Sequence, residues 1–311
     1  MTPIESEPEF IKIKETKGND DHEKNWDASF RRIPITNERG EKRIMEIVVC
    51  VKQVPDITDV KMDPVTNTMV REGIPSTVNP FDRHALEAAL NLKRIHGGRI
   101  TAITMGPMSA VDTLRKCYTY GADRLVLVSD RAFVGSDTYA TAYILAQAIR
   151  TCCPYDLIIC GKQAIDGDTA QVGPELAEQL QIPQLTYASK IECDNGEICV
   201  DRELEDRYEY TSASLPALVT VVKSINELSI PHFSRILDAK NAELIVLGAK
   251  DLGQIDFAKT GIAGSPTKVH KIATPTYSKH TRHIQSEKSS EAVKKLLQYM
   301  QDDGISIIGG V

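Results

Sequence analysis

From Met45 onward the sequence alternates between short apolar runs and longer amphipathic ones, and that alternation leaves few folds open. Strand-like runs at 46–54, 99–105, 125–128 and 157–160 are separated by helical runs at 81–95, 110–119, 138–150 and about 171–180. Strands that are apolar on consecutive residues have both faces covered, and helix-length connections join them as right-handed crossovers. The expected architecture is α/β, with a doubly wound, mostly parallel sheet. After Pro183 the period changes to two, with extended runs at 185–193, 198–204, 208–213 and 217–222. Asn195-Gly196 between two of them predicts a hairpin, so an antiparallel strand addition is expected beside the parallel sheet. Residues 61–70, with a Pro and Asn turn, read as a hairpin-like excursion.

A chain of 311 residues with 41% hydrophobic content can bury a full core. The net charge of −6 argues against nucleic acid or an anionic membrane as the main partner. No apolar run is long enough to span a bilayer, so no membrane insertion is expected. The seven cysteines lack the paired spacing of a zinc or iron–sulfur site. They read as reduced thiols of a cytoplasmic protein, with Cys152-Cys153 at a helix terminus.

Three zones follow. Residues 1–44 are charged and poor in aliphatics, which suits a solvated tail or an arm ordering on a partner through Trp26, Phe30 and Ile33. Residues 45–241 are expected to form the α/β domain. Residues 242–311 are punctuated by Gly and Pro before a last helix at about 286–301, which reads as an extended arm with too little apolar content for its own core.

The segment with the clearest chemistry is Gly161-Lys162-Gln163-Ala164-Ile165-Asp166-Gly167-Asp168-Thr169-Ala170-Gln171-Val172-Gly173-Pro174, which joins an apolar run to an amphipathic one. A small-residue loop between a parallel strand and a helix offers backbone N–H groups and a positive helix end to an anion. A diphosphate should sit here. Asp166 and Asp168 lack a third ligand at calcium-loop spacing. Their expected role is to accept bonds from loop amides, with at least one turned away from the anion, while Thr169 and Gln171 donate to it. Asn79-Pro80-Phe81-Asp82 reads as a helix cap, with Asn79 before Pro80 at the first position and Asp82 against the dipole. It also places Asn79 at the crevice where open α/β sheets bind ligands. Ser136-Asp137-Thr138 is a second cap. The seven histidines have no acid or cysteine partner at catalytic spacing, which suits redox chemistry carried out by a cofactor.

The stretch GKQAIDGDTAQVGPELAEQL resembles the nucleotide loop of the beta subunit of electron transfer flavoproteins. Cys50 within VCVKQVPD, the Asn79–Asp82 tetrapeptide and Leu215-Pro216-Ala217-Leu218-Val219-Thr220 extend that resemblance, in order, over about 45–268. Two departures stand out. Asp206-Arg207 occupies a place where the family favours small or acidic residues, and Leu228-Ser229-Ile230-Pro231-His232-Phe233 replaces a usual Pro-Arg-Tyr and Leu.

The resemblance implies a heterodimer with an alpha subunit that carries a second FAD, wrapped by the carboxyl-terminal arm. It maps nucleotide contacts onto Cys50, Asn79, Pro80, Phe81, Asp82, Met105 and the loop from Gly161 to Val172. The small loop and the Ser136-Asp137-Thr138 cap resemble the flavin-bifurcating type. That type implies FAD in place of AMP, NADH as substrate beside Ser136–Thr138, and electrons divided between ferredoxin and a flavin-dependent dehydrogenase. Phe233 is expected to protrude from an exposed loop at 227–235 and recognise that dehydrogenase. The conventional carrier, with AMP as a structural ligand, is the alternative; an adenine-nucleotide-binding stress-type module is the alternative of another class.

Overall fold

The computed structural model describes residues 11–16, 44–56, 75–194, 196–268, 270, 281–286 and 288–305. The chain divides into two compact units, Met1–His270 and Lys271–Val311. The first contains β1 (Ile11–Thr16), β2 (Glu46–Cys50), β3 (Gln53–Pro55), β4 (Ser76–Val78), α1 (Pro80–His96), β5 (Arg99–Met105), α2 (Ala110–Tyr120), β6 (Arg124–Val128), α3 (Thr138–Cys152), β7 (Leu157–Gly161) and α4 (Val172–Leu180). It continues with β8 (Gln184–Asp194), β9 (Glu197–Glu203), β10 (Tyr208–Ser214), β11 (Ala217–Val221), α5 (Phe233–Asp238) and β12 (Leu244–Leu247). The second unit carries α6 (Ser289–Asp302), where Arg282 stacks 5.0 Å from the Tyr299 ring.

The described strands form a ten-stranded sheet in the order β1-β10-β9-β8-β11-β7-β2-β5-β6-β12, and β3 with β4 a separate pair. Pairing is parallel from β8 to β12 and antiparallel from β8 outward to β1. Alternate residues of each parallel strand divide between two cores. Ile47, Val49, Ile100 and Ile159 join Leu86, Leu92 and Leu114 of α1 and α2, whereas Val48, Ile103 and Ile158 join Ile144 of α3 and Leu176 of α4. Each such side chain, fully buried, contributes about 1.5–3 kcal/mol of transfer free energy. The continuous apolar runs thus reflect a sheet covered on both faces.

After β2 the chain adds β5 and β6 on one side and returns to place β7 on the other. This reversal opens a crevice at the carboxyl ends of β2 and β7, where open α/β sheets take ligands.

The structure corrects several sequence expectations. The run at 46–54 is two strands: β2 stops at Cys50 because the Lys52 N–H is taken by the Asp82 carboxylate at 2.7 Å, and Gln53–Pro55 pairs with β4 instead. β11 is not part of the antiparallel addition. It lies parallel between β7 and β8, and all five residues are buried, as a central strand requires. The boundary placed at 242 moves as well. β12 completes the main sheet beside β6, and Leu247, Ala249 and Leu252 enter the core on the α3 side. Four apolar residues amid glycines and prolines are too short a run to register as a strand by periodicity. In the N-terminal zone, Ile11–Thr16 pairs antiparallel with β10, where a solvated tail is one of the two expectations. Trp26, Phe30, Ile33 and the excursion at 61–70 lie outside the described residues. Cys152 and Cys153 end α3 with their sulfurs 3.4 Å apart, and all seven cysteines are free thiols. No helix among the described residues is long and apolar enough to cross a membrane.

Truncation after residue 241 should therefore damage the sheet unit, whereas truncation after residue 270 should spare it. Loss of Leu247 and Leu252 alone should cost about 4 kcal/mol, taking about 2 kcal/mol for each buried leucine. Thermal unfolding followed by circular dichroism should show the 1–241 protein melting far below the full chain and the 1–270 protein melting close to it.

Candidate functional site

The crevice holds a cavity of about 350 Å³. Cys50, Val51 and Lys52 line it from the end of β2, Met105 from β5, and Cys160 and Gly161 from β7. Across from them stand the amino ends of α3 and α4. Parallel strands pointing their carboxyl ends at helix amino ends produce an apolar floor with a positive rim. The floor is partly sulfur, since Cys50 and Cys160 are register partners on adjacent strands. Burial and contact with Cys160 push the Cys50 thiol well above its ordinary range, so it stays protonated and uncharged.

Asp82 assembles one wall. Its carboxylate is buried, accepts from the Lys52 backbone at 2.7 Å and lies against Gly161, bringing the ends of β2 and β7 to the first turn of α1. The contact leaves no room for a side chain at 161: a Cβ there would lie 2.4 Å from Asp82 Oδ1 and 2.7 Å from the Phe81 carbonyl carbon. Desolvation raises the Asp82 pKa from 3.8 to about 7, against the opposing pull of Asn79 and of the Lys52 amide.

Asn79 is fully buried and makes no side-chain cap to α1. Its Nδ2 donates to Gln163 O at 2.8 Å and its Oδ1 accepts from Ile165 N at 3.2 Å. The ordinary-cap reading is thereby corrected, because the amide is spent on clasping the loop. The loop in turn holds Asp168 and Ala170 at positive φ, 49° and 55°. Left-handed backbone costs a non-glycine residue roughly 1–2 kcal/mol, so tertiary contacts must hold this shape. Gln163 Nε2 supplies one, donating to Asp168 Oδ1 at 2.8 Å, and Lys52 Nζ pairs with Asp166 at 2.7 Å. Both carboxylates therefore engage side chains where loop amides were expected, and neither lines the cavity. No group of three or more His, Cys, Asp or Glu among the described residues could hold a metal ion.

Of the sequence-derived residues, Cys50, Asp82, Met105, Gly161, Lys162, Gln163, Ala164, Gly167, Thr169, Ala170, Gln171 and Val172 come together around the cavity. Asn79, Pro80, Phe81, Ile165, Asp166 and Asp168 stand behind that lining. Gln171 leads α4 with no side-chain cap, leaving first-turn amides free to meet an anion. Gly173 fits closely there, since a Cβ would lie 2.7 Å from Thr220 Cγ2, whereas a Cβ at Gly167 meets open space.

Ser136, Asp137 and Thr138 line the same cavity rather than a separate one. Asp137 caps α3 through Ala140 N and also accepts from the amide and hydroxyl of Thr267. Burial opposes its ionisation, yet these bonds hold its carboxyl below the usual range. The carboxylate is thus committed to structure. Thr138 Oγ1 lies 3.2 Å from Glu175 Oε1 and bridges the two helix ends. Sequence reasoning missed Val51, Lys52, Thr141, Leu145 and Cys160, whose only signal is position at a strand end or a helix start.

A family profile described as the electron transfer flavoprotein domain matches residues 66–252. This chain belongs to the electron transfer flavoprotein family. It is 46% identical over 255 residues to "Electron transfer flavoprotein subunit beta" of Thermoanaerobacterium thermosaccharolyticum, covering 82% of the chain and 97% of that relative. The subunit beta of Megasphaera elsdenii is 50% identical over 238 residues, 74% of the chain and 88% of the relative. "Protein FixA" of Azorhizobium caulinodans is 47% identical over 239 residues, 75% of the chain and 85% of the relative.

Gly161→Ala should destabilise the protein by about 2 kcal/mol through overpacking at the α1 contact, while Gly167→Ala should stay within about 0.5 kcal/mol. Urea unfolding of the two variants tests the contrast. The Asp82 carboxyl should titrate near pH 7 by carbon-13 NMR. Because the folded state holds this proton to higher pH than the unfolded chain, the stability it contributes is complete below about pH 4 and lost as pH rises through about 7. Asp82→Asn should flatten that part of the stability profile.

Proposed function

We propose that the chain is the beta subunit of a heterodimeric electron transfer flavoprotein of the bifurcating type. It binds FAD and takes electrons from NADH. These electrons divide between ferredoxin and a partner dehydrogenase, the latter reached through the FAD of the alpha subunit. The observation that carries the reading is one cavity lined jointly by the strand ends, the uncapped start of α4 and the Ser136–Thr138 turn. Amides at Val172 and Gly173, with Thr169 and Gln171, would hold a diphosphate. The Lys162 ammonium, stacked 5.0 Å from the Tyr187 ring, would add a positive charge at the rim. Cys50 and Met105 give the floor a soft, uncharged surface suited to an aromatic ring. A flavin bound here supplies acceptance of a hydride and release of electrons singly; the chain supplies position and exclusion of water. Ser136–Thr138 would border the approaching nicotinamide.

The unit from Lys271 onward, with its exposed Val293, Leu296 and Leu297 on α6, suits an arm contacting the alpha subunit. Phe233, 74% exposed, would dock the dehydrogenase. Seven free thiols suit the cytoplasm. A second reading keeps a specific observation: about 350 Å³ accommodates one nucleotide half, which suits AMP in a conventional carrier.

Copurification with the alpha subunit and a count of bound flavin separates the two readings. Two FAD per heterodimer, with rapid anaerobic bleaching by NADH, is the expected result. One FAD with one AMP, and no bleaching by NADH, would overturn the bifurcating assignment in favour of the carrier.

A further inference from the structure

Helix α1 meets the segment 223–229 through contacts spaced three residues apart on both sides. Lys223 Nζ lies 4.8 Å from the Phe81 ring centroid. Asn226 bonds His84 twice, through Oδ1 to Nδ1 at 2.9 Å and from Nδ2 to the backbone oxygen at 3.0 Å. Ser229 donates to Glu87 from its hydroxyl at 2.6 Å and from its amide at 3.2 Å. Residues 81, 84 and 87 share one helix face, so a chain running along that face can be held at each step. Glu87 is the strongest of the three anchors. It is 6% exposed and carries a third bond, from Arg94 of the same helix.

Immediately beyond Ser229 the chain turns outward. Ile230 is 86% exposed, Phe233 74% and Leu237 64%. The far side of this apolar platform is tied down by Arg235, which donates to the carbonyls of Tyr118 and Ala122 and stacks 4.2 Å from the Tyr118 ring. Exposed apolar side chains on a short loop and the six-residue helix α5 gain nothing from this fixation in the isolated subunit. Their fixation matters when a partner docks, because ordering each backbone residue otherwise costs about 1–2 kcal/mol at that moment.

We propose that Glu87, with Ser229, is a positioning residue that preorganises the Ile230–Leu237 platform for the electron-accepting dehydrogenase. The inference rests on the docking role given to Phe233 above.

The test measures electron transfer from the reduced heterodimer to its dehydrogenase over a range of dehydrogenase concentrations, in Ser229→Ala, Glu87→Ala, Ser229→Thr and Phe233→Ala. Ser229→Ala and Glu87→Ala should each raise the KM for the dehydrogenase about tenfold, with kcat and nucleotide content unchanged. Ser229→Thr, which keeps the hydroxyl, should restore the KM. Ser229→Ala alters only a side-chain hydroxyl and keeps the test decisive if Glu87→Ala fails to fold. A raised KM in Phe233→Ala with normal KM in both Ser229→Ala and Glu87→Ala would overturn the positioning role while leaving the docking site in place. A normal KM in all the variants would overturn both. A fall in kcat or nucleotide content without a change in KM would mark Glu87 as a support of the fold alone.

Discussion

The buried carboxylate of Asp82 is the contact on which the site depends. By accepting from the Lys52 backbone and packing against Gly161, it brings the ends of β2 and β7 against the first turn of α1. The Lys52 amide lies just past the end of β2, and an unpaired buried N–H costs roughly 1–3 kcal/mol. One side chain thus closes that deficit and fixes the wall of the crevice. Burial penalises its charge, and the raised pKa records that penalty.

The loop after β7 inherits its shape from the same helix end. Asn79, one residue before α1, gives both its amide groups to the loop backbone, and the loop can then carry two left-handed non-glycine residues. Shape is imposed on the loop from outside, with glycine freedom playing little part. The required glycines are the ones pressed against neighbours: Gly161 on Asp82 and Phe81, and Gly173 on Thr220. With its carboxylates turned to Lys52 and Gln163, the loop leaves the start of α4 electropositive.

Helix α1 connects this wall to the segment 223–229. Its amino end holds the crevice through Asn79 and Asp82, and its first two turns hold 223–229 through Phe81, His84 and Glu87. A 17-residue helix packed on the sheet by Leu86, Ala89 and Leu92 is a stiff support for both.

The sequence by itself determined the local order of the chain. Consecutive apolar residues marked the buried parallel strands, Asn195-Gly196 marked the hairpin between β8 and β9, and the loop from Gly161 to Val172 with its helix start marked the turn that lines the cavity. These signals are legible because period, turn chemistry and helix starts are encoded by neighbours in sequence. The tertiary structure decided which strands lie side by side. It inserted β11 between β7 and β8 and recruited β12 from a stretch whose composition suggested an arm. It also decided how polar groups are spent: Asn79 on the loop instead of its own helix, Asp166 on Lys52, Glu87 on Ser229. Each of these partners is more than 80 residues away in sequence, and a buried polar group takes whichever partner the packing of the sheet and helices delivers.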